Sequence, residues 1–116
     1  MKTFRHWLSE EKEDDHITIH RGESVHNKKG GPLGGKFYST DREFARQFTQ
    51  SGQDKEIHTR KIHKDHVLDR SDVYAGDDIE PHLKEAKEKG YKAVRFHEGK
   101  GEPHSIYVFD HKALKK

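Results

Sequence analysis

Two short segments carry the residue types best suited to chemistry. The first is Ile17-Thr18-Ile19-His20-Arg21-Gly22-Glu23, in which an arginine stands where an apolar strand meets a glycine. A guanidinium there presents a planar fork of donors to a phosphate or carboxylate. Gly22 lets the chain turn beside a ligand with no side chain in the way. The plainer role for Arg21 is a rim ion pair with Glu23 or an aspartate. The second segment is Gly35-Lys36-Phe37-Tyr38-Ser39-Thr40-Asp41, running into Glu43-Phe44-Ala45-Arg46-Gln47-Phe48. Short hydroxyls at a strand-to-helix corner brace neighbouring backbone and can position a carboxylate. Taken alone, Ser39 is a strand end and Thr40 a helix cap. Phe37 or Tyr38 suits stacking on a flat ring, the other being given to the core.

The carboxylates nearest the last strand are Glu98 and Glu102. Glu102 sits in the tight turn Gly101-Glu102-Pro103, from which it can swing into a site. It is equally a solvated turn residue. His104 offers a hydrogen bond but no fixed negative charge at neutral pH. The chain has 11 histidines and no cysteine. His58, His63 and His66, with Asp65 and Asp69, have no recognised metal-ligand spacing and read as scattered surface groups. His16, His20, His26, His97 and His104 fall nearer the segments above.

The elements that must carry these residues follow from periodicity. Phe4, Trp7 and Leu8 recur at helical spacing, so residues 1–15 read as an N-terminal helical segment. Residues 16–21 alternate as a strand. Residues 23–35 hold four glycines and Pro32 and form a loop, either closing over a ligand or simply connecting strands. A strand over 36–40 leads into a helix capped by Thr40, with Glu43 completing a capping box, and Gly52 ends it. A third strand over 56–62 places Ile57 and Ile62 on its apolar side, with an irregularity between them. Val67 and Leu68 form a short buried continuation, and 70–78 is a polar connection. A helix over 79–89 turns Leu83 and Ala86 inward, pairs Glu80 with Lys84 and Glu85 with Lys89, and stops at Gly90. Strands over 91–96 and 105–109 flank a turn, and Ala113 and Leu114 pack back in a final turn. Strands and helices are not evenly interleaved. This predicts an α+β fold with a mainly antiparallel, split sheet and flanking helices.

Composition bounds the rest. A chain of 116 residues is expected to form one domain over 1–116. Charged residues make up 38%, yet the net charge is only +2, which does not demand a nucleic-acid partner. The absence of cysteine excludes disulfides, thiol catalysis and cysteine-bound zinc, and fits a reducing compartment. No apolar run approaches membrane-spanning length, and the first residues lack a signal-peptide pattern, so a cytoplasmic protein without membrane contact is expected. Neither a dinucleotide-binding glycine fingerprint nor a P-loop is present.

The combination His20-Arg21-Gly22, a glycine-rich loop, then Tyr38-Ser39-Thr40 and a helix carrying Ala45 resembles the opening half of small bacterial and phage ADP-ribosyltransferase-like domains. Tyr91-Lys92-Ala93-Val94-Arg95-Phe96 and Ser105-Ile106-Tyr107-Val108-Phe109-Asp110 are similar to that family's closing strands. The resemblance covers roughly residues 17–114 and implies an ADP-ribosyltransferase-like split sheet. It also implies NAD+ as co-substrate, a macromolecular acceptor that is a protein rather than a nucleic acid, release of nicotinamide, and a toxin-like setting with a cognate inhibitor or antitoxin. By that resemblance the cofactor-binding residues are His20, Arg21, Gly22, Phe37, Tyr38 and Ser39, with no metal. The catalytic set is Arg21 on the phosphates, Ser39 and Thr40 as braces, and Glu102, or Glu98, as the carboxylate. The family glutamate usually opens the last strand, and His104-Ser105 stands there instead. That departure leaves room for a catalytically inactive nucleotide- or protein-binding module on the same fold. Lys28, Lys29 and Lys36 leave room for an RNA-modifying or RNA-binding protein.

Overall fold

A computed structural model describes residues 15–24, 30–53 and 56–115. The predicted helix around Phe4, Trp7 and Leu8 lies outside these residues. The strands are β1 (His16–Gly22), β2 (Lys36–Ser39), β3 (Ile57–His63), β4 (Val67–Tyr74), β5 (Ala93–His97) and β6 (Ser105–Val108). Among the described residues the α-helices are α1 (Arg42–Arg46) and α2 (Glu80–Glu88). The strands form one six-stranded sheet in the order β3-β1-β2-β6-β5-β4. All neighbours pair antiparallel except β4 and β5, which run parallel with α2 as their crossover. The α+β, mainly antiparallel expectation therefore describes the architecture.

Each face of the sheet carries its own apolar cluster. On one face, α2 turns Leu83 and Ala86 onto Leu68, Val94, Phe96 and Tyr107. The Glu80–Lys84 and Glu85–Lys89 pairs form on its outer side, at 3.6 and 2.8 Å. On the other face, Ile19, Tyr38, Ile62, Ala93, Ile106 and Val108 pack together. That second cluster is met by Ala113, which ends a 3-10 turn over His111–Ala113, and by Leu114 just after it.

Several local expectations need correction. The cap of α1 is Asp41, not Thr40: the Asp41 carboxylate accepts from the Glu43 and Phe44 amides at 2.8 and 3.1 Å. Thr40 is already committed, because its amide and hydroxyl both donate to the His104 carbonyl, at 3.1 and 3.2 Å. Glu43 reaches forward to Arg46 instead of back to a cap residue. The helix stops at Arg46, before Gly52. The β1–β3 register is unbroken from His16↔His63 to Gly22↔Ile57. Ile57 and Ile62 are therefore on opposite faces, since side chains alternate along a strand. The stretch expected to be a polar connection from residue 70 is instead most of β4, an outer strand whose register shifts between Asp69 and Tyr74. An outer strand open to solvent tolerates the polar run Asp69-Arg70-Ser71-Asp72, so its sequence lacks the alternation that marks a strand.

The glycine-rich segment before β2 is built around Tyr107. The Tyr107 hydroxyl donates to the Pro32 carbonyl at 2.8 Å. A Cβ at Gly35 would stand 2.2 Å from the Tyr107 ring, so only glycine fits there. Residues 30–35 are thus docked on the body of the sheet.

Candidate functional site

The weakest joint in the sheet lies between β1 and β2. These strands pair at one position only, His20↔Ser39. Next to that pair, Arg21 is buried and its Nη1 donates to the Phe37 carbonyl at 3.0 Å. A guanidinium thus stands where the next rung of the ladder would be. Beyond it, Lys36 and Glu23 bridge the same two strands at 3.5 Å. Glu23 also meets His58 at 3.2 Å. Glu23, the rim partner offered for Arg21 by sequence, meets Lys36 and His58.

A cleft of about 310 Å³ opens beside this joint. Its lining runs across the sheet in strand order: His20, Arg21 and Gly22 from β1, then Phe37, Tyr38 and Ser39 from β2, and Ser105 from β6. Glu98 just past β5 and Tyr74, Ala75 and Gly76 at the end of β4 complete that row. Phe44, Ala45 and Phe48, from α1 and the turn after it, supply the remaining wall. All six residues expected to bind cofactor therefore share one cavity. Of the four expected catalytic residues, Arg21 and Ser39 line it.

Thr40 and Glu102 do not. Thr40 is spent on the His104 carbonyl, joining the end of β2 to the residue before β6. Glu102 is an exposed residue of the turn, with its amide bonded to the Gly99 carbonyl. The carboxylate at the cleft is Glu98, the alternative that sequence left open. It is fixed by Ser105, whose hydroxyl donates to it. Ser105 in turn faces Ser39 across the β2–β6 ladder. The Ser39 hydroxyl accepts from the Asp41 amide at 3.0 Å, tying β2 to the cap of α1.

The aromatic residues divide their roles. Tyr38 is the one given to the core, packing with Ile19 and Ile106. Its burial pushes the phenol above 10.0, an effect the nearby Arg21 charge partly offsets. Phe37 packs edge-to-face on Tyr107 with ring centres 4.7 Å apart. Phe44 and Phe48 also meet edge-to-face, and Phe48 stays 46% exposed at the cleft. His20 bonds Thr59 at 2.9 Å, and burial with the Arg42 charge holds its imidazole below 6.5, against a smaller opposing pull from Asp41. That shift favours the neutral, hydrogen-bonding form of the imidazole over the cation.

Gly22 lines the cleft and also has a packing role. A Cβ there would lie 2.0 Å from the Ala45 carbonyl oxygen. The missing side chain lets α1 settle on β1 and so sets the height of the helical wall. Among the other histidines, His97 stacks on Tyr74, His104 accepts from Arg95 Nε at 2.8 Å, and His16 packs on His63 far from the cleft residues. His26, Lys28 and Lys29 lie outside the described residues.

Sequence reasoning did not assign Phe44, Phe48, Tyr74 or Ser105 to the site. Phe44 and Phe48 stand four residues apart, a spacing that suits packing on one helix face, and Tyr74 lies in the stretch expected to be a polar connection. No helix among the described residues is long and apolar enough to cross a membrane. Comparison of the chain with protein-family models, with curated proteins and with solved structures finds no match.

Proposed function

We propose that the cleft binds NAD+ and that the protein transfers ADP-ribose to a macromolecular acceptor, releasing nicotinamide. The observation that carries this reading is the shared cleft of Arg21 and Glu98, with Glu98 held by the Ser105 hydroxyl. In the step envisaged, the bond between nicotinamide and the ribose C1′ breaks and its electron pair leaves with nicotinamide. Positive charge develops on the ribose ring, and the fixed Glu98 carboxylate stabilises it, as preorganised charge aimed at a transition state does. An acceptor lone pair then bonds to C1′, and the acceptor proton passes to water in the open cleft. Arg21 anchors the phosphates and Ser39 braces the corner. The chain's own fit to this substrate is a cleft that sets the apolar surfaces of Phe44, Phe48 and Tyr74 beside the polar groups of Arg21, Ser39, Glu98 and Ser105, a combination usual in small-molecule sites.

A second reading, a nucleotide- or protein-binding module without turnover, draws on Arg21 itself. The residue is 8% exposed and one of its N–H groups is committed to Phe37, which leaves fewer donors for a pyrophosphate. The RNA reading keeps less support, because Lys36 is paired with Glu23.

The deciding experiment is NAD+ titration followed by NMR, with nicotinamide release read in the same tube. Shifts at Arg21, Ser39 and Glu98 with free nicotinamide support the transferase. Shifts without nicotinamide, even with candidate acceptors added, support the binding module. No shifts at millimolar NAD+ overturn the cofactor assignment.

A further inference from the structure

The lining has a direction, and its far end is occupied by an aromatic residue that the proposed chemistry does not use. Tyr74 ends β4 and remains 43% exposed while lining the cleft. Its ring is nonetheless held on two sides. It tilts against His97 at 36° with centres 5.5 Å apart. It also lies over Gly76, where a Cβ would come within 2.6 Å of the ring. The backbone beneath is fixed too: the Ala75 amide donates to the His97 carbonyl at 2.8 Å, and the Asp77 amide to the Tyr74 carbonyl at 3.0 Å. A large aromatic, pinned and yet exposed, has given up its rotamer freedom without burying its surface. That cost is recovered when a second flat group covers the ring.

The strand order says what that group would be attached to. From β1 to β4 the row runs Arg21, Ser39, Ser105 with Glu98, then Tyr74. It covers four strand spacings, roughly 19 Å. Glu98 therefore stands between the arginine and the tyrosine.

We infer that Tyr74 is the stacking residue of the cleft, seating a planar heteroaromatic ring carried by the sugar that lies at Glu98. This rests on the nucleotide reading above and adds to it the position of the base. Of the two stacking candidates offered by sequence, the Tyr38 ring is core and the Phe37 ring is packed on Tyr107. Phe48 provides a further aromatic surface on the same cavity.

The test uses the full chain with NAD+, nicotinamide mononucleotide and AMP as probes. Stacking shifts the aromatic protons of the bound ligand upfield, which ligand-observed NMR reads directly. Wild type and Tyr74→Phe should show that shift and bind NAD+ within about 2-fold of each other. Tyr74→Ala should lose the upfield shift and bind roughly 5- to 100-fold more weakly, the range for removing one base-stacking aromatic. Gly76→Ala keeps the tyrosine but pushes its ring aside, and should reproduce the loss. Amide spectra of the free variants establish that each is folded. Whichever mononucleotide retains the upfield shift identifies the stacked ring as nicotinamide or adenine. NAD+ binding that is unchanged in Tyr74→Ala overturns the role of Tyr74 and leaves the nucleotide site standing. Failure of the wild-type protein to bind NAD+ overturns both.

Discussion

Ser105 donates its hydroxyl to the Glu98 carboxylate across the turn that joins β5 to β6. Ser105 is buried within a strand, whereas Glu98 stands just outside one. The strand thus holds in place a carboxylate that the turn alone would leave mobile. This is how a chain with His104-Ser105 at the start of its last strand can still present a fixed negative charge at the cleft.

Glu98→Gln is expected to cut nicotinamide release by about 100-fold or more, the usual effect of removing a charge stabiliser. NAD+ affinity should change by less than about 3-fold, because the amide preserves shape. Glu102→Gln should behave as wild type in both assays, since Glu102 is exposed and outside the lining. Ser105→Ala should fall between them, at roughly 10-fold, through a mobile Glu98. Loss of turnover in Glu102→Gln with normal Glu98→Gln would reverse the assignment.

Arg21→Lys tests whether the arginine is needed as a fork or only as a charge. Lysine retains the charge but cannot serve the Phe37 carbonyl and a phosphate with the same planar geometry. NAD+ binding should weaken at least about 10-fold. Chemical denaturation should also show a loss of about 1–3 kcal/mol, because the Phe37 carbonyl loses its donor inside the β1–β2 joint. A lysine variant with wild-type affinity and stability would show that Arg21 acts as a charge alone.

Gly22→Ala should destabilise the protein by about 2–3 kcal/mol, the scale of forcing one extra methyl into a packed interface. The neighbour it meets at 2.0 Å is the Ala45 backbone carbonyl, which cannot rotate away as a side chain could. The measurement is the urea midpoint of unfolding. Because α1 carries Phe44, a displaced helix should also weaken ligand binding. An unchanged midpoint would mean that α1 is free to ride up on β1.

Part of this architecture is legible in the sequence. The alternation of Ile17 and Ile19 fixes β1, and Gly90 marks the end of the helix before β5, because both signals are local. The grouping of His20, Arg21, Gly22, Phe37, Tyr38 and Ser39 came from the family resemblance, and no local signal in the two segments dictates that they line one cleft. What was hidden depends on tertiary context. Thr40 looks like a cap until the His104 carbonyl claims its hydroxyl. Tyr74 looks like loop because its strand is an edge whose polar residues face water. The choice between Glu98 and Glu102 turns on a single hydroxyl, Ser105, and no periodicity in the sequence can report which carboxylate it holds.

Alkaline titration probes the arginine charge from both faces of the sheet, through Tyr107 on one and Tyr38 on the other. Burial raises the phenols of Tyr38 and Tyr107 above 10.0, while Arg21 pulls each of them partly back. For Tyr107, the nearby backbone of Gly35 and Gly31 also opposes the rise. In the unfolded chain both phenols ionise near 10.0, so above that pH the unfolded state holds fewer protons than the folded one. Their contribution to stability is therefore complete below pH 10 and is lost as pH rises through the folded values. Phenolate absorbance should show two late-titrating groups, removed one at a time by Tyr38→Phe and Tyr107→Phe. Tyr107→Phe should in addition cost about 1 kcal/mol at neutral pH through the lost bond to Pro32. Replacing Arg21 by glutamine removes the positive charge that favours the phenolate, so the Tyr38 step should move further up. A Tyr38 step that stays put or moves down would show that the Arg21 charge does not reach the phenol, and would place the guanidinium elsewhere than in the β1–β2 joint.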